Sequence, residues 1–274
     1  MSGFSVEWLN QREGADHRAR DSILLANSIS WLKDLQVDEP IIIDLGSGTG
    51  STIRAMLPII QQIFLPVKWR LVDDDPLVLS EAMRRHAGEL TIEDCIVNFS
   101  NIHKLPLEEV SLITTSALLD LVSADFITEL TKQIKTMNKH RPVGLYSALN
   151  YDGSIKWLPD HPLDHAILDC FNQDQRRDKG FGPALGPAAG KFLQDQFTAK
   201  DFQIFSAKST WELGSADKTL VSSLIEGIAD VALQSDSLVY SEAIGWKEFR
   251  IKNVISGTCH VGHIDLLAIP QRSN

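Results

Sequence analysis

Residues 41–57 read IIIDLGSGTGSTIRAML. Ile41–Leu45 is a β-branched, apolar run of the kind found in strands buried on both faces. Gly46, Gly48 and Gly50 follow, and helical spacing resumes over 49–64, with Ile53, Met56, Leu57, Ile60 and Phe64 on one face. Pro58 should kink or split that helix. A buried strand, a glycine turn and a helix make the first βα unit of a nucleotide-binding sheet. Gly46 permits the tight turn. Gly48 removes the Cβ that would block a ligand lying against the backbone, and N–H groups at the helix start point into the crevice.

The spacing narrows the choice of ligand. A dinucleotide loop of the form G-x-G-x-x-G needs glycine at position 51, where this chain has Ser51. No G-x-x-x-x-G-K-[ST] phosphate cradle occurs either. Asp44, just before the loop, suits a pyrophosphate poorly and an ammonium group well. A plain structural turn is the bland alternative, but three closely spaced glycines destabilise a chain unless something requires them. Asp44, Gly46, Ser47, Gly48 and Gly50 are therefore candidate ligand contacts.

Outward from the loop, strand and helix alternate. Strands are expected at 68–73, 92–99, 110–115 and 143–150, with helices at 76–86 and 124–137 capped by Asp75 and Ser123. Alternation of this kind gives βαβ units and a doubly wound, mostly parallel sheet covered on both faces. Upstream, residues 15–36 carry helical spacing. Downstream the rhythm stops. Residues 151–195 are rich in Asp, Pro, Gly and Gln around one helical piece at 163–174, and read as a cap or lid insertion. A strand at 202–211, helices at 217–233 and 241–252 and a strand at 258–269 complete the chain. The expected organisation is an N-terminal helical segment, 1–39, and one α/β domain, 40–274, with the cap at about 151–195.

At "DLGSGTG" the sequence resembles the class I S-adenosylmethionine-dependent methyltransferases, a Rossmann-like family with a seven-stranded sheet. "LVDDDP", 71–76, is similar to the end of that family's second strand, where an acid binds both ribose hydroxyls. The resemblance implies this role for Asp73, with Asp74 assisting. "NIHKLPLEEVSLITTSALLDLV" is similar to the segment spanning the third and fourth strands. It implies Asn101 near the adenine amino group, Ile102 flanking the ring, and Thr115 and Ser116 lining the cofactor. Asn101 departs from the family's usual acid. The family's N-terminal segment often closes over the cofactor; here it carries Arg12, Asp16, His17, Arg18 and Arg20, and an exposed amphipathic helix is the alternative.

Composition limits the rest. The chain has 274 residues, a formal charge of −10 and no Lys/Arg run longer than a pair, which argues against a nucleic-acid substrate. Three scattered cysteines fit free thiols in a reducing compartment. There is no apolar run of the about 20 residues a membrane span needs, and no signal-peptide pattern, so a cytoplasmic protein is expected. Cys259, His260 and His263 do not make a metal site, because residues three apart on a strand face opposite ways.

The expected activity is in-line methyl transfer to a small molecule, with S-adenosylmethionine as cofactor, S-adenosylhomocysteine as product and no metal. A homodimer is compatible with the sequence. Asp120, His103 and Tyr151 are the candidate bases for a hydroxyl acceptor. Asn150, Arg176, Arg177 and Lys179 are candidate substrate contacts, although Asp174 and Asp178 could neutralise the three cations. The competing readings are a methyltransferase acting on a macromolecule, a non-catalytic protein that binds S-adenosylmethionine or S-adenosylhomocysteine, and an NAD(P)-dependent oxidoreductase.

Overall fold

The computed structural model describes residues 4–88, 90–235 and 238–271. Two helices, α1 (Val6–Ala19) and α2 (Ser22–Asp34), precede β1 (Ile41–Leu45). Then come α3 (Ser51–Gln62), β2 (Lys68–Asp73), α4 (Pro76–Arg85), β3 (Thr91–Ile96), β4 (Val110–Ser116) and α5 (Ala124–Met137). The long β5 (Gly144–Leu158) leads to α6 (Asp164–Asp174), α7 (Ala189–Thr198), β6 (Phe202–Lys208) and β7 (Trp211–Leu213). The chain closes with α8 (Lys218–Leu233), α9 (Tyr240–Lys252) and β8 (Thr258–Pro270).

The sheet runs β3-β2-β1-β4-β5-β8-β6. Pairings from β3 through to β5 are parallel, while β8 lies antiparallel between β5 and β6. Strand order reverses between β1 and β4, and the glycine turn follows β1 at that switch point, where open α/β sheets bind ligands. The expected strand at 202–211 is two strands. The second, β7, pairs with β8 as an eighth strand beyond the seven expected.

Each sheet face is covered. Leu24 and Leu25 of α2, Ile53 and Met56 of α3 and Leu79 of α4 pack against Ile42, Trp69 and Leu71. On the other face, Phe126, Ile127, Leu130 and Ile134 of α5 form an i, i+1, i+4, i+8 stripe that packs with Leu193 and Phe197 of α7. Each such buried side chain contributes about 1.5–3 kcal/mol.

Three further differences from the expected elements stand out. The N-terminal helix is two helices, because Asp21 turns its carboxylate to cap α2, accepting the Leu24 amide at 2.7 Å. Pro58 sits inside α3 without ending it. The fifth strand overruns its expected end by eight residues. Its pairing with β8 is irregular between Ser147 and Asn150 and again between Tyr151 and Ile155. At the first irregularity Leu149 takes φ +57°, and its amide donates to the buried Asp265 Oδ1 at 2.8 Å. The bulge re-aims the strand. Beyond it, Tyr151, Ile155 and Trp157 leave the sheet core for another, shared with Ala15 of α1, Ile167 of α6, Trp211, Ile225 of α8 and Trp246 of α9. Among the described residues no helix is long and apolar enough to cross a membrane.

Candidate functional site

The crevice opens at the carboxyl ends of β1, β2 and β4. Gly46, Gly48 and Gly50 have φ of +68°, +51° and +81°, a left-handed region that disfavours any side chain. The amides of Gly46 and Ser47 both donate to the Val72 carbonyl, at 2.9 and 3.0 Å, which curls the turn over the tip of β2. The next amide, Gly48, donates to Asp73 Oδ2 at 2.8 Å. A Cβ on Gly46 would come within 3.2 Å of Leu118, and one on Gly48 within 3.0 Å of Leu9.

Two carboxylates flank the turn. Asp73 Oδ1 accepts the Asp75 amide at 3.2 Å, and burial pushes the Asp73 pKa up against the pull of the Gly48 amide. Asp74 is exposed, and Asp75 caps α4 through the Leu77 amide. Asp44 is fully enclosed: Oδ1 accepts from Thr114 Oγ1 at 2.7 Å, while Oδ2 has no partner. Burial raises its pKa to about 6, held back by Thr114 and Arg20. Arg20 is itself buried. It donates to Ser116 Oγ at 2.9 Å and keeps two N–H positions, Nε and Nη1, without partners.

Helix α1 roofs the crevice. Leu9 lies on Gly48; Glu13 pairs with Arg54 of α3; His17 Nε2 reaches Ser51 Oγ at 3.1 Å; and Arg18 pairs with Asp217 just before α8. The basic and acidic residues of this segment are therefore contacts between layers.

Beneath α1, on the β5 side, lies a second polar region. Arg12 grips Asp16 through two hydrogen bonds, at 2.8 and 3.1 Å, and lies 5.0 Å over the Trp211 ring. Trp211 Nε1 donates to the same carboxylate at 3.0 Å. The His263 ring is 5.0 Å from Trp211 and 6.2 Å from Tyr151, and its Nδ1 has no partner. Burial first, and Arg12 second, lower the His263 pKa to about 4, so the ring is neutral. Asp120 Oδ1 is likewise buried and unpartnered, and burial raises that pKa to about 6. Asp120 stands two residues after Leu118, the side chain that faces Gly46.

The sequence-derived candidates divide accordingly. Asp44, Gly46, Ser47, Gly48, Gly50, Asp73 and Ser116 meet at the crevice. Asp120 and Tyr151 share the polar region under α1, with the Tyr151 hydroxyl donating to Asn172 and its pKa raised by burial. His103 does not join them: its ring is exposed and meets Gln133 of α5. Thr115 and Asn150 are consumed inside the sheet, in a chain from Thr115 to Ser147 to Asn150, whose amide donates to the Ile264 carbonyl. Ile102 is buried, whereas Asn101 is exposed. Arg177 and Lys179 are paired with Asp174, and Arg176 bonds the Asn172 carbonyl from an exposed position. Among the described residues no group of three His, Cys, Asp or Glu side chains is placed to hold a metal.

Sequence reasoning missed the polar role of His263 and Asp265. The signal was present: both interrupt the apolar run of β8, and polar groups inside such a run are buried with a purpose or a partner. A recess of about 530 Å³ lies elsewhere, on an outer face lined by Lys156, Leu158, Asp160, His165 and His260. It lacks the unpartnered buried groups that mark the crevice, which Leu9 fills.

No family model matches the chain. No curated protein matches it either. Solved structures similar to it include a cyclopropane synthase from Mycobacterium tuberculosis, 12% identical over 89% of this chain and 82% of that one, with a TM-score of 0.45. The YcgJ protein from Bacillus subtilis is 14% identical over 90% of this chain and 99% of its own, with a TM-score of 0.47. A geranyl diphosphate C-methyltransferase from Streptomyces coelicolor, solved with S-adenosyl-L-homocysteine, is 10% identical over 90% and 76%, with a TM-score of 0.43. These likenesses are too distant to assign an activity.

Proposed function

We propose that the protein transfers a methyl group from S-adenosylmethionine to a small-molecule acceptor. One observation carries the reading: the glycine turn sits between two carboxylates, Asp73 at the tip of β2 and Asp44 with an unpartnered buried oxygen. The cofactor's groups fit these side chains. Asp73 has lone pairs left for a ribose diol. Asp44 Oδ2 offers the acceptor that an amino-acid ammonium needs, and the two spare N–H positions of Arg20 offer donors for a carboxylate. The backbone at Gly46 and Gly48 leaves room for a ligand once Leu9 and Leu118 give way. Bound there, the cofactor supplies an already activated methyl group. The protein's tasks are then to align the acceptor, exclude water and take a proton.

Asp120 is the proton acceptor in this reading: its Oδ1 is buried and unpartnered. Tyr151, with its pKa raised, is a donor rather than a base. Helix α1 and the shared core of β5, β7, α6, α8 and α9 act as the cap over a domain that starts near residue 40, so more of the chain than 151–195 contributes to it. The three scattered cysteines, Cys95, Cys170 and Cys259, fit a reducing compartment, and we place the protein in the cytoplasm.

The oxidoreductase reading loses ground on topology. Dinucleotide folds follow the order 3-2-1-4-5-6, whereas here an antiparallel strand separates β5 from β6. Calorimetry with S-adenosylmethionine and S-adenosylhomocysteine tests the proposal, with NADH as the control ligand. Binding of both adenosyl compounds is expected; binding of NADH alone sinks it. Transfer of labelled methyl groups to extract components separates an enzyme from a silent binder.

A further inference from the structure

Asp120 Oδ1 and His263 Nδ1 are buried polar atoms without a hydrogen-bond partner among the described residues. Both belong to the polar region beneath α1, hereafter the chamber. Arg12 acts electrostatically on both, and Tyr151 lies 6.2 Å from the His263 ring while sensing the Asp120 charge. The walls are aromatic: Tyr151 packs edge-on against Phe171 at 5.9 Å, and Trp211 stands 5.0 Å from His263.

The charges are unevenly matched. The Arg12 fork is spent on Asp16, which also accepts from Trp211. Asp120 is left as an anion with a free oxygen. As the Nε2–H tautomer, His263 adds a neutral acceptor. An anionic acceptor molecule would meet the Asp120 carboxylate, while Arg12 is already committed to Asp16. A hydroxyl has one proton for two acceptors. A protonated amine has the positive charge, at least two N–H donors, and a preference for aromatic faces.

We propose that this chamber binds the methyl acceptor as a primary or secondary ammonium, held by Asp120 and His263 between Tyr151 and Trp211. The inference rests on the methyl-transfer reading for its chemistry but not for its binding. One ammonium proton passes to the Asp120 carboxylate. The freed nitrogen pair forms the N–C bond as the methyl–sulfur bond breaks, and sulfur keeps those electrons. The methylated amine leaves as an ammonium, and Asp120 returns its proton to solvent.

The test is ligand-observed NMR with aryl-alkyl and alkyl primary amines, each beside the alcohol and the carboxylate of the same skeleton. It is run on the whole protein, with and without S-adenosylhomocysteine. Amines from the set are expected to bind at least about tenfold more tightly than their alcohols and carboxylates. Asp120→Asn is expected to erase that preference, and His263→Ala to weaken amine binding several-fold, provided each variant keeps the wild-type circular dichroism. The wild-type comparison stands without either variant. Alcohols or carboxylates binding as well as amines, or no amine binding, would overturn the proposal. A chain that binds S-adenosylhomocysteine but no amine loses this inference and keeps the methyl-transfer reading. One that binds amines but not S-adenosylhomocysteine does the reverse.

Discussion

The Asp73 carboxylate accepts the Gly48 amide at 2.8 Å, so the acid at the tip of β2 also holds the turn after β1 in shape. Asp73→Ala is therefore expected to cost about 1.5–3 kcal/mol of S-adenosylhomocysteine affinity, through both the lost acceptor and a loosened turn. Asp73→Asn should recover part of that loss, since its amide oxygen can still accept from Gly48. Calorimetry on the two variants decides, and equal affinity in wild type and Asp73→Ala removes the ribose assignment.

Gly48→Ala meets two penalties. A side chain at φ +51° costs about 1–2 kcal/mol. The new Cβ would also stand 3.0 Å from Leu9 Cδ1, pressing α1 off the turn. The expected result is a lowered melting temperature and faster proteolysis within residues 6–19. A variant with wild-type melting and proteolysis would show that the turn is not confined.

His263 predicts a pH dependence. Its folded pKa, about 4, lies below the ordinary 6.5, so the folded state resists protonation. The stability linked to this group is whole above pH 6.5 and is lost as pH falls from there toward 4, by up to about 3 kcal/mol. Asp44 and Asp120, both raised to about 6, act in the opposite sense and gain from acid. Comparing wild type with His263→Gln isolates the histidine: urea unfolding at several pH values should show the acid loss shrinking in the variant. Parallel curves would mean that His263 titrates normally.

Arg20 is buried in the field of Asp16, Asp44 and Asp265. Replacing it by Met leaves those carboxylates without their shared cation and should cost about 3–5 kcal/mol. Denaturant midpoints measure the cost, and a change under about 1 kcal/mol would show that the carboxylates are satisfied without it.

Much of the sheet was legible because βαβ units are written locally: a β-branched run, a turn of glycines, then spacing of 3.6. Asp44, Gly48 and Asp73 could be found for the same reason, since each lies at the end of a strand with clear limits. What escaped was set by distant partners. The break between α1 and α2 is tied to β8, where Asp265 Oδ2 accepts the Asp21 amide at 3.0 Å. Extension of β5 past Asn150 depends on Asp265 capturing the Leu149 amide, 116 positions away. The chamber needs α1, β4, β5, β7 and β8 at once, and no window of sequence contains it. His103 misled because it is next to Ile102 in the chain, yet one of the two is buried and the other faces Gln133.

The two coverings of the crevice are fastened differently. The core beyond Asn150 grows out of β5 itself, whereas α1, besides burying Ala15 in that core, is joined to α3 and to the start of α8 by ion pairs at its rim, Glu13 with Arg54 and Arg18 with Asp217. Charges of that kind weaken when electrolyte screens them. If ligands enter beneath α1, added salt should loosen this edge, and stopped-flow association of S-adenosylhomocysteine is expected to quicken.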